Sequence, residues 1–219
     1  MNLFKPSVKK LIENRDYSGL KQLLSDYPIL ANKGITIPFD LICRAKAHPL
    51  HRICDAVFAG KITDSDAVEL AKVFLENGAS IDGDKNKNEE TPLLAAASLH
   101  AEQVGIFYID NGADVYYTYK NDGASALHWA AFCGRDKLVE SLISANAEID
   151  ELDTTHKSTP VGWAIHSLQS NDMGNKHNQL NCIKLLLKSG ADSKKLDKDK
   201  NDYLLSLSKS DPELQDLLS

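Results

Sequence analysis

One dipeptide returns at fixed distances along this chain. Gly78-Ala79 comes back as Gly112-Ala113, then as Asn146-Ala147, then as Gly190-Ala191, at steps of 34, 34 and 44 residues. Two short apolar stripes precede the turn, and they are clearest between Gly123 and Ala147. There Ala126, Leu127, Ala130 and Ala131 form the first stripe, Gly134 interrupts it, and Leu138, Val139, Leu142 and Ile143 form the second at helical spacing. Two helices this short cannot bury both stripes by themselves. Each pair needs a like pair on either side, so the period calls for a stack of repeats, with one local core after another.

A second recurring element stands before each first helix. It reads His48-Pro49-Leu50-His51, Thr91-Pro92-Leu93-Leu94, Ser125-Ala126-Leu127-His128 and Thr159-Pro160-Val161-Gly162. A period of about 33 residues with Thr-Pro-Leu-His-x-Ala is the ankyrin signature. On these residues the chain resembles the ankyrin-repeat family from roughly Lys33 to Leu218, and most closely in the two central repeats. The resemblance implies an all-α ankyrin-repeat solenoid of helix-turn-helix units with projecting β-turn loops.

The expected organisation is a single ankyrin-repeat domain over 1–219. It comprises an amino-terminal cap (1–33), repeat 1 with an insertion (34–83), repeat 2 (84–117), repeat 3 (118–151), repeat 4 with an insertion (152–195) and a carboxy-terminal cap (196–219). The insertions lie near 60–66 and 167–178 and are expected on the rim. Ser7 is expected to cap a first helix built on Val8, Leu11 and Ile12. Asp64 or Ser65 is expected to cap the helix that carries Leu70 and Phe74. Lys33 to Lys46, with Ile35-Thr36-Ile37-Pro38, reads as an extended connection.

Charge narrows the partners. The net charge of −6 argues against general nucleic-acid binding, which needs a basic face. The segment from Met1 to Lys33 is mildly basic, with six Lys/Arg against three Asp/Glu. No segment approaches about 18 consecutive apolar residues, and the first residues carry no apolar run of signal-peptide length, so no membrane partner is expected. The cysteines at 43, 54, 133 and 182 form no Cys-x-x-Cys pair, which fits a reducing, cytoplasmic setting.

Sharper chemistry is weighed residue by residue. Asp82 to Glu90 alternates oxygen-bearing side chains like the start of a calcium loop, but Lys87 and Leu93 stand where glycine and a bidentate glutamate are required. His51 and His128 fill the family's histidine place, which by resemblance braces the adjoining turn. Neither has a third ligand at usable spacing, so no metal or cofactor is expected. Cys133 is expected at the exposed end of a first helix, with His166 about 10 Å off in a packed stack, too far for a dyad. Trp129 and Trp163 are expected to be mostly buried between repeats.

The resemblance implies a non-enzymatic protein–protein interaction module. By register its concave face and loop tips hold Lys87, Asn88, Glu90, Ser98, Leu99, Tyr117, Tyr119, Asn121, Asp122, Phe132, Thr155, His156, Ser158 and His166. The tyrosines of the 116–119 loop stand out, because tyrosine favours interfaces. The partner is expected to be another protein, bound by a monomer. Two alternatives remain: a dedicated inhibitor or regulator of one enzyme or toxin, and, with less support, a hydrolase or transferase using Cys133 or His166.

Overall fold

The computed structural model describes residues 6–84, 90–170 and 176–218, and leaves the side chains of 176 and 177 aside. The chain divides into two units, Met1–Asp114 and Val115–Ser219.

The first unit begins with α1 (Val8–Glu13) and α2 (Tyr17–Asp26), followed by a 3-10 turn over Pro28–Ala31. Ser7 caps α1 by accepting from the Lys10 amide, as expected. Strands β1 (Ile35–Thr36) and β2 (Lys46–Ala47) then pair antiparallel, with Ile35 opposite Ala47 and Thr36 opposite Lys46. The connection read as simply extended is therefore a two-stranded finger. Its tip is held by Asp40, whose carboxylate accepts the amides of Ile42 and Cys43. Then come α3 (Pro49–Phe58), α4 (Asp64–Glu76), α5 (Pro92–Ser98) and α6 (Glu102–Asp110).

Thr63 caps α4, one residue earlier than expected. Its hydroxyl accepts from the Asp66 amide, and the Asp66 carboxylate reaches back to the Thr63 amide. Two acidic residues in the first turn, Asp64 and Asp66, suit the positive end of the helix. In the core of this unit Leu50, Ile53, Leu70, Phe74, Leu93, Val104 and Tyr108 are buried. The phenol of Tyr108 donates to the Leu50 carbonyl at 2.8 Å, so the one polar atom of that ring is satisfied.

The second unit holds α7 (Ala126–Phe132), α8 (Asp136–Ser144), α9 (Pro160–Ser170) and α10 (Lys176–Lys188). A 3-10 turn at Ser193–Lys195 leads to α11 (Lys198–Ser208) and α12 (Pro212–Leu217). Within it α7 packs on α9, α8 on α10, and α9 on α10 and α11. Leu127, Ala130, Leu138, Val139, Leu142, Val161, Ile165, Ile183 and Leu186 are all fully buried.

The 34-residue period is visible in the backbone. Between paired helices stands a left-handed residue, His100 (φ 63°) in one repeat and Gly134 (φ 66°) in the next. After the second helix comes another, Gly112 (φ 84°) and then Asn146 (φ 63°). Glycine adopts this conformation without steric cost, and asparagine is the residue that best replaces it. Successive loops are joined by carboxylates. Asp82 accepts the Asp114 amide at 2.8 Å in the first unit, and Asp150 accepts the Asp192 amide at 3.1 Å in the second.

The insertions are largely absorbed by longer helices. Helices α9 and α10 run to 11 and 13 residues where α7 and α8 have 7 and 9. The expected rim loop at 167–178 is thus helical at both ends, and its middle, 171–175, lies outside the described residues. Near 60–66 only a short turn at Gly60 separates α3 from α4.

Helix α6 has no side-chain cap of its own, since Ala101 occupies that place. Asp64 supplies one from α4, its carboxylate accepting the amides of Gln103 at 2.6 Å and Val104 at 3.0 Å. Asp64→Ala removes both bonds and is expected to lower unfolding stability by about 1–2 kcal/mol in urea titration, with faster hydrogen exchange at those two amides.

Candidate functional site

The site grows from helical spacing. Residues three apart share a helix face. On α7 this puts Trp129 beside Phe132, and on α9 it puts Trp163 beside His166. Because α7 packs on α9, the two pairs form one aromatic surface. The indoles of Trp129 and Trp163 meet edge to face at 5.1 Å between centroids. Phe132 stands 6.0 Å from Trp129 and 5.9 Å from Trp163, and its ring lies near-parallel to His166 at 6.4 Å. The three rings of Trp129, Phe132 and Trp163 are mutually inclined by 75° to 80°, so they make a corner of three walls.

A cavity of about 500 Å³ opens on this corner. His156 and Ser158 line it from the preceding loop, and Gly162 and Lys200 complete it. Its size and apolar walls are those of a ligand-binding cleft. Gly162 stands where His128 stands one repeat earlier. The missing side chain leaves room for the Ser158 hydroxyl, which an added Cβ would overlap, with Leu196 and the Lys200 stem just beyond at 3.4 and 3.6 Å.

The loop beneath the corner is held by one carboxylate. Asp153 is fully buried and accepts the amides of Thr155, His156 and Ser158 and the indole N–H of Trp163. Burial alone would push its carboxyl up, but these donors outweigh it, and the acid is held below the usual carboxylate range. Trp163 is therefore fixed by neighbouring rings and at its nitrogen. His128 braces the same loop from α7. Its ring bonds Ser125 at 2.9 Å and the Ser158 carbonyl at 3.1 Å. Burial lowers its pKa, so the buried imidazole stays neutral near pH 7. Gln179 of α10 closes the far side, donating to the Phe132 carbonyl at 3.1 Å and the Ser167 hydroxyl at 2.8 Å.

Of the residues expected on the binding face, the structure brings Phe132, His156, Ser158 and His166 to this cavity. Thr155 is exposed on the same loop. Tyr117 and Tyr119 are half-buried, and Tyr119 accepts from the Asn121 amide group at 2.8 Å. Tyr116 is the exposed member of that trio, at 57%. Asp122 is spent locally, its carboxylate on the Ala124 amide and its carbonyl on the Thr154 amide. Glu90, Ser98 and Leu99 are half-buried in the first unit, and Lys87 and Asn88 lie outside the described residues.

Two expectations need correction. Trp129 and Trp163 are half-buried and line the cavity, where a mostly buried core was expected. Cys133 is buried at 2% exposure, where an exposed helix end was expected, and burial pushes its thiol up to about 11. The start of α10 packs against the adjoining Gly134, with Asn178 and Gln179 close to its backbone. Lys200 carried no sequence signal of its own. The paired spacing of Trp129/Phe132 and Trp163/His166, repeated 34 residues on, was the signal for the aromatic surface.

The family model for ankyrin repeats in three copies matches residues 57–153 and 107–202. The chain belongs to the ankyrin-repeat family. Ankyrin repeats are protein-interaction modules. The chain is 35% identical over 121 residues to the human palmitoyltransferase ZDHHC13, a match that covers 51% of this chain and 18% of that protein. It is 33% identical over 102 residues to the palmitoyltransferase ZDHHC17 of Danio rerio, covering 44% of this chain and 15% of that one. The matches thus span less than a fifth of these curated relatives. The crystal structure of the human ASB11 ankyrin repeat domain shares the fold, with a TM-score of 0.57 and 23% identity over 85% of this chain and 70% of that one.

In this ankyrin chain Asp153 is the brace of the cavity. Asp153→Ala leaves buried donors unmatched and is expected to cost about 3 kcal/mol of unfolding stability. Because the folded carboxyl titrates below its unfolded value, its stabilisation is full above the unfolded pKa and is lost as pH falls through the folded one. Urea titrations between about pH 6 and pH 3 therefore show a smaller loss for the variant than for the parent.

Proposed function

We propose that this chain is a non-enzymatic interaction module that takes hold of one other protein at the aromatic cavity of its second unit. The cavity itself carries the reading. Its walls are large rings already fixed by hydrogen bonds and mutual contacts, so little freedom is lost when a partner enters. Tryptophan, with tyrosine and arginine, is the residue type enriched at energetic hot spots. The protein works in this reading as a monomer in a reducing compartment such as the cytoplasm. Among the described residues no helix is long and apolar enough to cross a membrane.

The palmitoyltransferase activity of its relatives belongs to proteins more than five times the matched length, and it is not carried over. A thiol with its pKa pushed up to about 11 by burial is a poor nucleophile at neutral pH, which argues against Cys133 chemistry. Cys54 and Cys182 are fully buried as well, and Cys43 is the half-exposed one. Native labelling with a thiol-reactive probe is expected to modify Cys43 first and Cys133 only on unfolding. Fast, preferential labelling of Cys133 would reopen the enzymatic reading.

Affinity purification with mass spectrometry, run in parallel on the parent chain and on Phe132→Ala/His166→Ala, tests the binding site. The double variant is expected to lose its partner, with affinity reduced by about 30-fold or more and an unchanged circular dichroism spectrum. Equal capture by both chains would place the binding face elsewhere.

A further inference from the structure

The side chains around the cavity are uneven in charge. Lys200 brings an ammonium to the lining, and among the described residues no carboxylate lines the cavity. Two acids that contact lining residues are committed. Asp153 already receives the donors described above. Asp197 caps α11 through the Lys200 amide and pairs with the Lys200 ammonium. An ammonium has three N–H donors, so one carboxylate does not exhaust it. The Lys200 side chain is 19% exposed, its stem runs beside Gly162, and Asp197 holds its ammonium.

The walls are equally selective. Trp129, Phe132 and Trp163 meet nearly at right angles, which offers an incoming planar ring both edges and faces. Aromatic pairs favour such edge-to-face and offset contacts over a face-to-face sandwich. Electron-rich ring faces also attract cations, but a cation entering here meets the Lys200 ammonium on the lining.

We propose that the cavity selects an anionic aromatic anchor, a planar side chain with a carboxylate close beside it, such as an acidic peptide segment centred on an aromatic residue. The ring enters the corner made by Trp129, Phe132 and Trp163, and the carboxylate accepts from Lys200. This rests on the reading of the cavity as the partner-binding site and specifies what the partner presents there.

Three probes share one ring and differ in charge: indole-3-acetate, neutral indole and tryptamine. Each is titrated into the full chain, and binding is followed by the indole N–H signals of Trp129 and Trp163 in nitrogen–proton correlation spectra. Indole-3-acetate is expected to bind at least about tenfold more tightly than tryptamine, with indole between them. In Lys200→Gln the ratio of the first to the last is expected to fall to about twofold, and in Lys200→Arg the parent order is expected to return. Equal affinity for the three, or tryptamine binding most tightly, overturns the anionic selectivity but leaves the cavity as a binding site. Absence of any shift with all three probes overturns both the selectivity and the cavity's role.

Discussion

Seven residues are too few for a helix to persist in water. Isolated helices shorter than about 12 residues are marginal even in favourable sequences, because nucleation fixes several residues for one hydrogen bond. Helices α5 and α7 have seven residues each, so they exist only because neighbours bury them. Everything else in the chain follows from that dependence. Alanine at 95, 96, 97, 126, 130 and 131 lets helices approach closely, and these residues are buried. Side-chain caps at Thr91 and Ser125 start the short helices, and left-handed residues such as Gly134 turn the chain back at once.

The same economy creates the site. A short helix exposes its last turn beside the loop that precedes the next one, so residues at its end stand next to loop residues. Phe132 ends α7, and His156 and Ser158 belong to the loop before α9. Rings placed there are half-buried, held on the inner side by packing and by the Asp153 and His128 hydrogen bonds, and open on the other. Replacement of the motif histidine by Gly162 then changes what lies beside them. Where the previous repeat has an imidazole bonded to the next loop, this one has bare backbone with the Ser158 hydroxyl closest to it and Leu196 and Lys200 beyond. The cavity is thus a departure from the repeat, and the departure is what distinguishes it chemically.

What the sequence disclosed was whatever is local and periodic. The turn at Gly112 and Asn146, the cap at Ser7 and the buried stripe of Leu127 and Val161 can each be read within one repeat. Four cavity residues, Phe132, His156, Ser158 and His166, were legible because helical register assigns them a face. The burial of Trp129, Trp163 and Cys133 was not, because register gives the direction of a side chain and says nothing about what covers it. Lys200 and Gln179 arrive from α11 and α10, after an insertion that breaks the period, so no spacing rule links them to Phe132. The finger at 35–47 was missed in form because two-residue strands carry too little pattern to be recognised.

The central claim is that the partner enters the corner between α7 and α9. Hydrogen–deuterium exchange of the whole chain, with and without its captured partner, tests it most directly. The account predicts slowed exchange concentrated in the 154–166 loop and helix and at the end of α7, with the first unit unchanged. Protection confined to the first unit, or to the outer faces of α8 and α10, would contradict it.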